Sequence, residues 1–374
     1  MIVSTFYWAG ERGIVFNGKK NTNPDIVFYF FDKGLNEKIS CYETIKNTFP
    51  NATLIGNSTS GPIFEDDIFL GSITGAAISF DKSTFKTLEI PCKKPSQSYR
   101  AGKTITESLP HKNLRHIFVI TDGMNVNGDK LVAGINETIP DNVSVSGGLA
   151  SDGFAFSQTL TGINSPPTPG NICVLALYGD DLIISTAAEG GWVKFGKEFI
   201  ATKSNGTNLY TLDNKPVLEI YRDYLGPDAE DLPSSALFFP IAIKQTCKDT
   251  YYIRTVNNLD DENNLLNFTG EIPEGSTVQF MKGSFKELTT GALKSAKDAK
   301  VKTKKGNALV LAVSCLGRQL LMGQKIGDEL EAVKSVYPDI PIVGFYSNGE
   351  ISYDKTAKTC LHNETMTITV IGEK

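Results

Sequence analysis

The residues in this sequence best suited to chemistry are a cysteine, an arginine and two short polar phrases. Cys315 and Arg318 follow the apolar run Leu309–Val313. Ser347, Asn348 and Glu350 bring a hydroxyl, an amide and a carboxylate together in Gly344-Phe-Tyr-Ser-Asn-Gly-Glu-Ile351. Ser58, Thr59 and Ser60 bring three hydroxyls together in Gly56-Asn-Ser-Thr-Ser-Gly61. An arginine holds a carboxylate by a two-pronged hydrogen bond, and a glutamate can take an ammonium group. Arg318 with Glu350 therefore describes a receptor for an amino acid or a similar metabolite. Tyr346, Ser347 and Asn348 would line it, and Gly344 and Gly349 would let the ligand approach the main chain. The plainer reading is that Arg318 and Glu350 pair with each other, and that the glycine phrases are tight turns demanded by the fold.

A nucleophile needs a base beside it. Cys315 has Arg318 close in sequence, but none of the three histidines, His111, His116 and His362, is local to it. A buried structural cysteine is the simpler reading, and an enzyme using Cys315 as nucleophile is the alternative. His111 and His116 flank a loop–strand boundary and read as surface or edge residues. Cys360-Leu-His362 places two metal-type side chains on one face of a strand, which is too few for a metal site. No phosphate loop, zinc-protease helix, nucleophile elbow or dinucleotide phrase occurs. The expectation is a binding protein with no catalytic residue, no metal and no cofactor.

These phrases sit on a repeated frame. A buried-type strand begins at Ile26, Ile117 and Leu309, and each is followed 30 to 35 residues later by a turn glycine, Gly56, Gly147 or Gly344. Pro50 and Pro338 stand at matching places before Gly56 and Gly344. The unit is strand, loop, helix, strand, glycine turn, strand. Because a helical crossover makes the two strands parallel, the loop after Val313 and the turn after Val343 should emerge at one sheet edge, where ligands of open α/β sheets bind. Helices are expected over 37–49, 101–109, 130–138, 215–225 and 286–300, and Ile172–Tyr178 with Leu182–Ala188 reads as a hairpin. Residues 190–212 read as a join between halves. The fold class is α/β, with mixed sheets flanked by helices. Two related halves, 1–202 and 203–374, are built from duplicated strand-helix-strand units, the third unit occupying 309–374.

The chain has 374 residues and a net charge of −5, without the basic surplus of a nucleic-acid binder. No run approaches a membrane span, and the first residues lack a signal peptide's pattern. A cytoplasmic protein with free thiols is expected. The six cysteines, Cys247 among them, show no CxxC pair. The lysines from Lys294 to Lys305 read as a solvated helix face.

The sequence resembles the FIST family, whose members carry a FIST N-terminal and a FIST C-terminal part. The C-terminal likeness runs through Leu212–Tyr221, Ile253-Arg-Thr-Val256, Glu271–Gly275, Ser314–Arg318, Gly344–Ile351 and Leu361–Met366. The N-terminal likeness rests on Asn23–Val27, Gly56–Gly61, Gly147–Gly153 and Gly190-Gly-Trp192. Asn57 and Pro62 depart from the family's usual turn. The resemblance implies a sensory module of signal transduction that binds a small ligand, amino acids being the usual suggestion. It would act through a separate output protein such as a kinase, a cyclase or a chemotaxis component. Some relatives look like haem proteins that sense nitric oxide, which makes haem binding, with His362 as axial ligand, a further alternative.

Overall fold

Ile26–Asp32 sets the pattern for the whole chain. Every residue from Ile26 to Phe31 is buried, as in a strand covered on both faces. A computed structural model describes residues 1–153, 155–232, 234–244, 251–303, 306–354 and 358–374; Cys247, Lys304 and Lys305 lie outside them. The first unit comprises β1 (Ile2–Trp8), β2 (Ile14–Asn17), β3 (Ile26–Asp32), α1 (Lys33–Asn36), α2 (Cys41–Thr48), β4 (Thr53–Thr59), β5 (Pro62–Phe64), β6 (Asp67–Ile68) and β7 (Ile73–Ser79). β3 and β4 are parallel, with α2 in the crossover. β7 lies antiparallel on the far side of β3, with β1 beyond it. The helix expected from residue 37 starts only at Cys41, because the Ser40 hydroxyl accepts the Glu43 N–H and caps it there.

The second unit repeats the plan with β8 (Thr84–Pro91), α3 (Ser98–Ser108), β9 (Leu114–Thr121), α4 (Gly128–Thr138), β10 (Ser144–Leu149), β11 (Thr161–Ile163) and β12 (Asn171–Tyr178). β9 and β10 are parallel, and β12 fits antiparallel between β9 and β8. The third unit opens with β13 (Leu182–Glu189) and is then interrupted. The insertion holds β14 (Val193–Asn205), β15 (Asn208–Leu212), β16 (Lys215–Pro216), α5 (Val217–Leu225), β17 (Ile241–Lys244), β18 (Tyr251–Arg254), β19 (Val256–Asp260), β20 (Leu265–Phe268) and β21 (Thr277–Lys282). Its strands form a separate eight-stranded sheet. The third unit resumes with α6 (Phe285–Asp298), β22 (Ala308–Cys315), α7 (Leu316–Met322), α8 (Gly327–Val336), β23 (Ile342–Ser347), β24 (Gly349–Asp354), β25 (Lys358–His362) and β26 (Met366–Glu373). β22 and β23 are parallel, with β26 antiparallel to β22 and β13 beyond it.

The three units exchange strands in a ring. After its glycine phrase, β5 of the first unit pairs with β23 of the third. β24 of the third pairs with β10 of the second, and β11 of the second pairs with β4 of the first. Each six-stranded sheet is thus completed by a neighbour. The inner faces share one core, where Phe28 meets Phe118 at 5.6 Å between ring centroids and Phe30 meets Phe345 at 5.1 Å. Each such buried ring contributes about 2–3 kcal/mol. Helices cover the outer faces: α2 on the first sheet, α3 and α4 on the second, α6 and α8 on the third.

The expected α/β class, with mixed sheets flanked by helices, is the one found. Two readings of detail change. β12 and β13 are not a hairpin, because β12 stays in the second sheet and β13 crosses to pair with β26. Residues 190–212 are not a plain join but hold β14 and β15, a long antiparallel pair in the insertion. Strands from both sides of residue 202 share sheets, and β14 runs across that point.

Candidate functional site

The three glycine phrases end their parallel strands at one place and bond to one another. The Thr59 hydroxyl donates to the Tyr346 carbonyl at 2.8 Å, and the Ser58 hydroxyl donates to the Ser151 carbonyl at 2.8 Å. The Ser60 N–H donates to the Ser151 Oγ, and the Asn348 N–H to the Leu149 carbonyl. The Ser60 hydroxyl donates to Gln319 at 2.8 Å. Ser58, Thr59 and Ser60 are buried and held in the joint between units. Gly344 and Gly349 have no positive φ, so special backbone angles do not explain them. What Gly344 needs is room: a Cβ there would lie 1.7 Å from the Ala312 carbonyl oxygen on the parallel neighbour.

Arg318 points away from this edge. Its Nε and one terminal nitrogen donate to Glu329 at 2.9 and 2.8 Å, and the remaining donors go to the carbonyls of Gly190, Leu288 and Glu364. Both side chains are fully buried. Glu329 also accepts from the Ser314 hydroxyl at 2.9 Å and the Tyr346 hydroxyl at 2.7 Å. The partner of Arg318 is therefore Glu329, and not Glu350. Glu329 was legible as an anomaly, since it shares a helical face with Val333 and Val336.

Glu350 is buried and accepts from Ser347 at 2.6 Å and from the Thr365 backbone and hydroxyl at 3.1 and 2.9 Å. Burial pushes its carboxyl up to about 8. A second carboxylate, absent from the sequence reading, lies beside it. Glu364 is 1% exposed, and its backbone holds the left-handed φ of +57°, a conformation that costs a non-glycine residue energy and gathers at functional sites. Burial raises its carboxyl to about 7, against the opposing pull of Arg318 and of the hydrogen bond from Thr255. That bond is 3.1 Å long and ends on Oε1. Gly317 makes room for the same oxygen, because a Cβ there would lie 1.8 Å from it.

Glu364 lines a cleft of about 770 Å³. One wall comes from strand ends of the second and third units: Met124, Leu149, Cys315, Gly317, Ser347, Asn348 and Asn363. The other comes from the insertion: Thr207, Thr255–Asn258 and Asn267–Gly270. Oε2 of Glu364 and the Oδ1 atoms of Asn348 and Asn363 are buried with no hydrogen-bond partner among the described residues. Of the expected site residues, Ser347 and Asn348 reach the cleft. Arg318, Tyr346, Glu350, Gly344, Gly349, Ser58, Thr59 and Ser60 are not among its lining residues. A larger open groove of about 1090 Å³ runs along β13 and takes in His362. None of its lining residues carries a buried polar atom that lacks a partner among the described residues. His362 sits with its ring 6.0 Å from that of Tyr252.

Burial, together with the charges of Glu350 and Glu364, raises the Cys315 thiol well above its ordinary value. His116 is not an edge residue. It is fully buried between Ser144 and Ser146, and burial lowers its imidazole to about 3. No group of three or more potential metal-binding side chains occurs among the described residues, and no helix among them is long and apolar enough to cross a membrane.

Three sheets in a ring, with a cleft closed by an insertion, define a two-part α/β protein whose parts share strands. A FIST N domain matches residues 25–215 and a FIST C domain matches residues 218–353. The chain belongs to the FIST family, whose domains are sensory modules of signal transduction. No curated protein matches it significantly. Among solved structures it is similar to "cyanuic acid hydrolase from A. caulinodans", at 11% identity and a TM-score of 0.19, over 78% of this chain and 99% of that one; a likeness so slight carries no argument.

Proposed function

We propose that this protein is a ligand-binding sensor without catalysis, and that its ligand occupies the cleft between the insertion and the second and third units. The carrying observation is the set of three buried acceptor atoms, on Asn348, Asn363 and Glu364, that have no partner among the described residues. Buried polar atoms are nearly always satisfied, so three of them on residues that line one cleft support a small molecule with N–H or O–H donors as its occupant. An amino acid or a similar metabolite has such donors. Ser347 and Asn348 remain site residues in this reading, while Arg318, Glu329 and Glu350 form the frame beneath it. Because the cleft walls belong to two bodies, a bound ligand ties them together. That offers a separate output protein, a kinase, cyclase or chemotaxis component, a changed surface to read. The raised Cys315 thiol supports binding over nucleophilic chemistry, since the thiolate is the reactive form.

The test is a thermal-shift screen of amino acids and related metabolites, because a ligand that binds only the folded state raises the melting temperature. At least one compound is expected to stabilise the wild type and to lose at least tenfold in affinity with Asn363→Ala. A hit whose affinity Asn363→Ala leaves unchanged would place the ligand elsewhere.

A further inference from the structure

The cleft has a charge character that goes beyond ligand binding as such. Of the described residues that line it, only Glu364 is ionisable as an acid or base of ordinary strength, apart from the Cys315 thiol, and no lysine, arginine or histidine is among them. The cations Arg318 and Arg254 are spent. Arg318 gives its donors to Glu329 and to three carbonyls. Arg254, behind Gly270, gives its own to Asp129 and to the carbonyls of Ile253, Leu361 and Glu271. A ligand carboxylate in this cleft would face Glu364 with no cationic side chain among the described lining residues, and like charges at short range in a partly desolvated site are costly. An ammonium group would meet a wall that holds the buried Glu364 carboxylate, with Asn348 and Asn363 on the same cleft, each carrying a buried oxygen that has no hydrogen-bond partner among the described residues. The remaining wall includes Val126, Leu149, Val256, Phe268 and Leu316, which suits an apolar body.

We infer that the cleft selects a small primary amine with an apolar body and no carboxylate, Glu364 being its counter-ion and Asn348 and Asn363 taking its other N–H donors. The inference rests on the cleft as the ligand site and adds the sign of the charge it accepts. It departs from the amino-acid ligand, which carries a carboxylate as well.

The charged and titratable groups facing Glu364 are Arg318 from α7, Glu329 from α8, Glu350 from β24 and Cys315 at the end of β22. With burial they hold its carboxyl near 7, so it is mostly ionised at about pH 8 and mostly neutral at about pH 6. An alkylammonium stays charged throughout that range.

The experiment is calorimetric titration of the full chain with matched probes: phenethylamine, phenylalanine and 3-phenylpropanoate, and isopentylamine, leucine and 4-methylpentanoate. Within each set the amine is expected to bind at least tenfold more tightly than the amino acid, with no binding by the acid. Amine affinity is expected to fall about tenfold from about pH 8 to about pH 6, and Glu364→Gln is expected to lose at least tenfold at the higher pH. The pH series on the wild type serves if that variant does not fold. Amino acids binding as tightly as their amines, or no binding by either amine, would overturn the charge selection. If an amino acid then binds and Asn363→Ala abolishes that binding, the cleft still stands as the ligand site. Amine binding that neither Glu364→Gln nor Asn363→Ala weakens would overturn the charge selection and the cleft together.

Discussion

Glu350 shows what burial does to a single carboxylate. Ser347 and Thr365 give it three hydrogen bonds, yet desolvation outweighs them and its pKa rises to about 8. The folded state therefore binds this proton more tightly than the unfolded chain, where an ordinary value near 4.5 applies. The contribution of Glu350 to stability is complete below about pH 4.5 and is lost as pH rises through about 8. Chemical denaturation between about pH 5 and 9 is expected to show the wild type losing about 3–5 kcal/mol from this group. Glu350→Gln, which is neutral throughout, should show a correspondingly flatter profile. Equal slopes in the two proteins would mean that Glu350 is ionised in the fold at neutral pH.

At the scale of the element, Gly344 and Gly56 act by closeness rather than by backbone freedom, while Gly147, at a φ of +145°, needs both. Gly344 in β23 faces the Ala312 carbonyl of β22, and Gly147 in β10 faces the Val119 carbonyl of β9. Gly56 in β4 lies over the Tyr29 ring, with a Cβ only 2.1 Å from it. A methyl group at residue 344 must push two parallel strands apart in the middle of a packed sheet. Gly344→Ala is expected to destabilise the protein by about 3 kcal/mol or more, at the upper end for overpacking. Gly327→Ala at the start of α8 meets nothing within 4 Å and is the control; it should be neutral or slightly stabilising. Urea midpoints of the two variants decide this, and similar midpoints would refute the packing argument.

At the scale of the molecule, the exchange of β5, β11 and β24 makes each sheet depend on a neighbouring unit. A chain cut after residue 202 loses β22, β23, β24 and β26. That leaves β13 without a partner and β5 with only the two-residue β6, and it opens the core shared by Phe30 and Phe345 to water. Such unpaired edges invite aggregation. Residues 1–202 expressed alone are expected to be insoluble or to lack dispersed amide signals in an NMR spectrum. A soluble monomer with a dispersed spectrum would show that the first two units fold without the third.

The sequence by itself determined the α/β class, the three strand-helix-strand units and their parallel strand pairs. Those depend on runs such as Ile26–Phe31 and on helical spacing, which act within about 30 residues. It also placed Ser347 and Asn348 at a sheet edge, since a crossover leaves no other position for them. Only the tertiary structure decided the rest. No local pattern tells Pro62–Phe64 to pair with Val343–Phe345, or Leu182–Glu189 to leave the strand just before it, because a strand edge fits many partners and the shared core selects among them. Arg318 took Glu329 in place of Glu350 for the same reason: two carboxylates were within reach along the chain, and the one on the buried face of α8 was already inside. In the sequence Glu364 is one charge within the phrase Leu361–Met366. Its place in the cleft required an insertion some 100 residues upstream to fold back over it, because a cleft between two bodies exists only once both have packed.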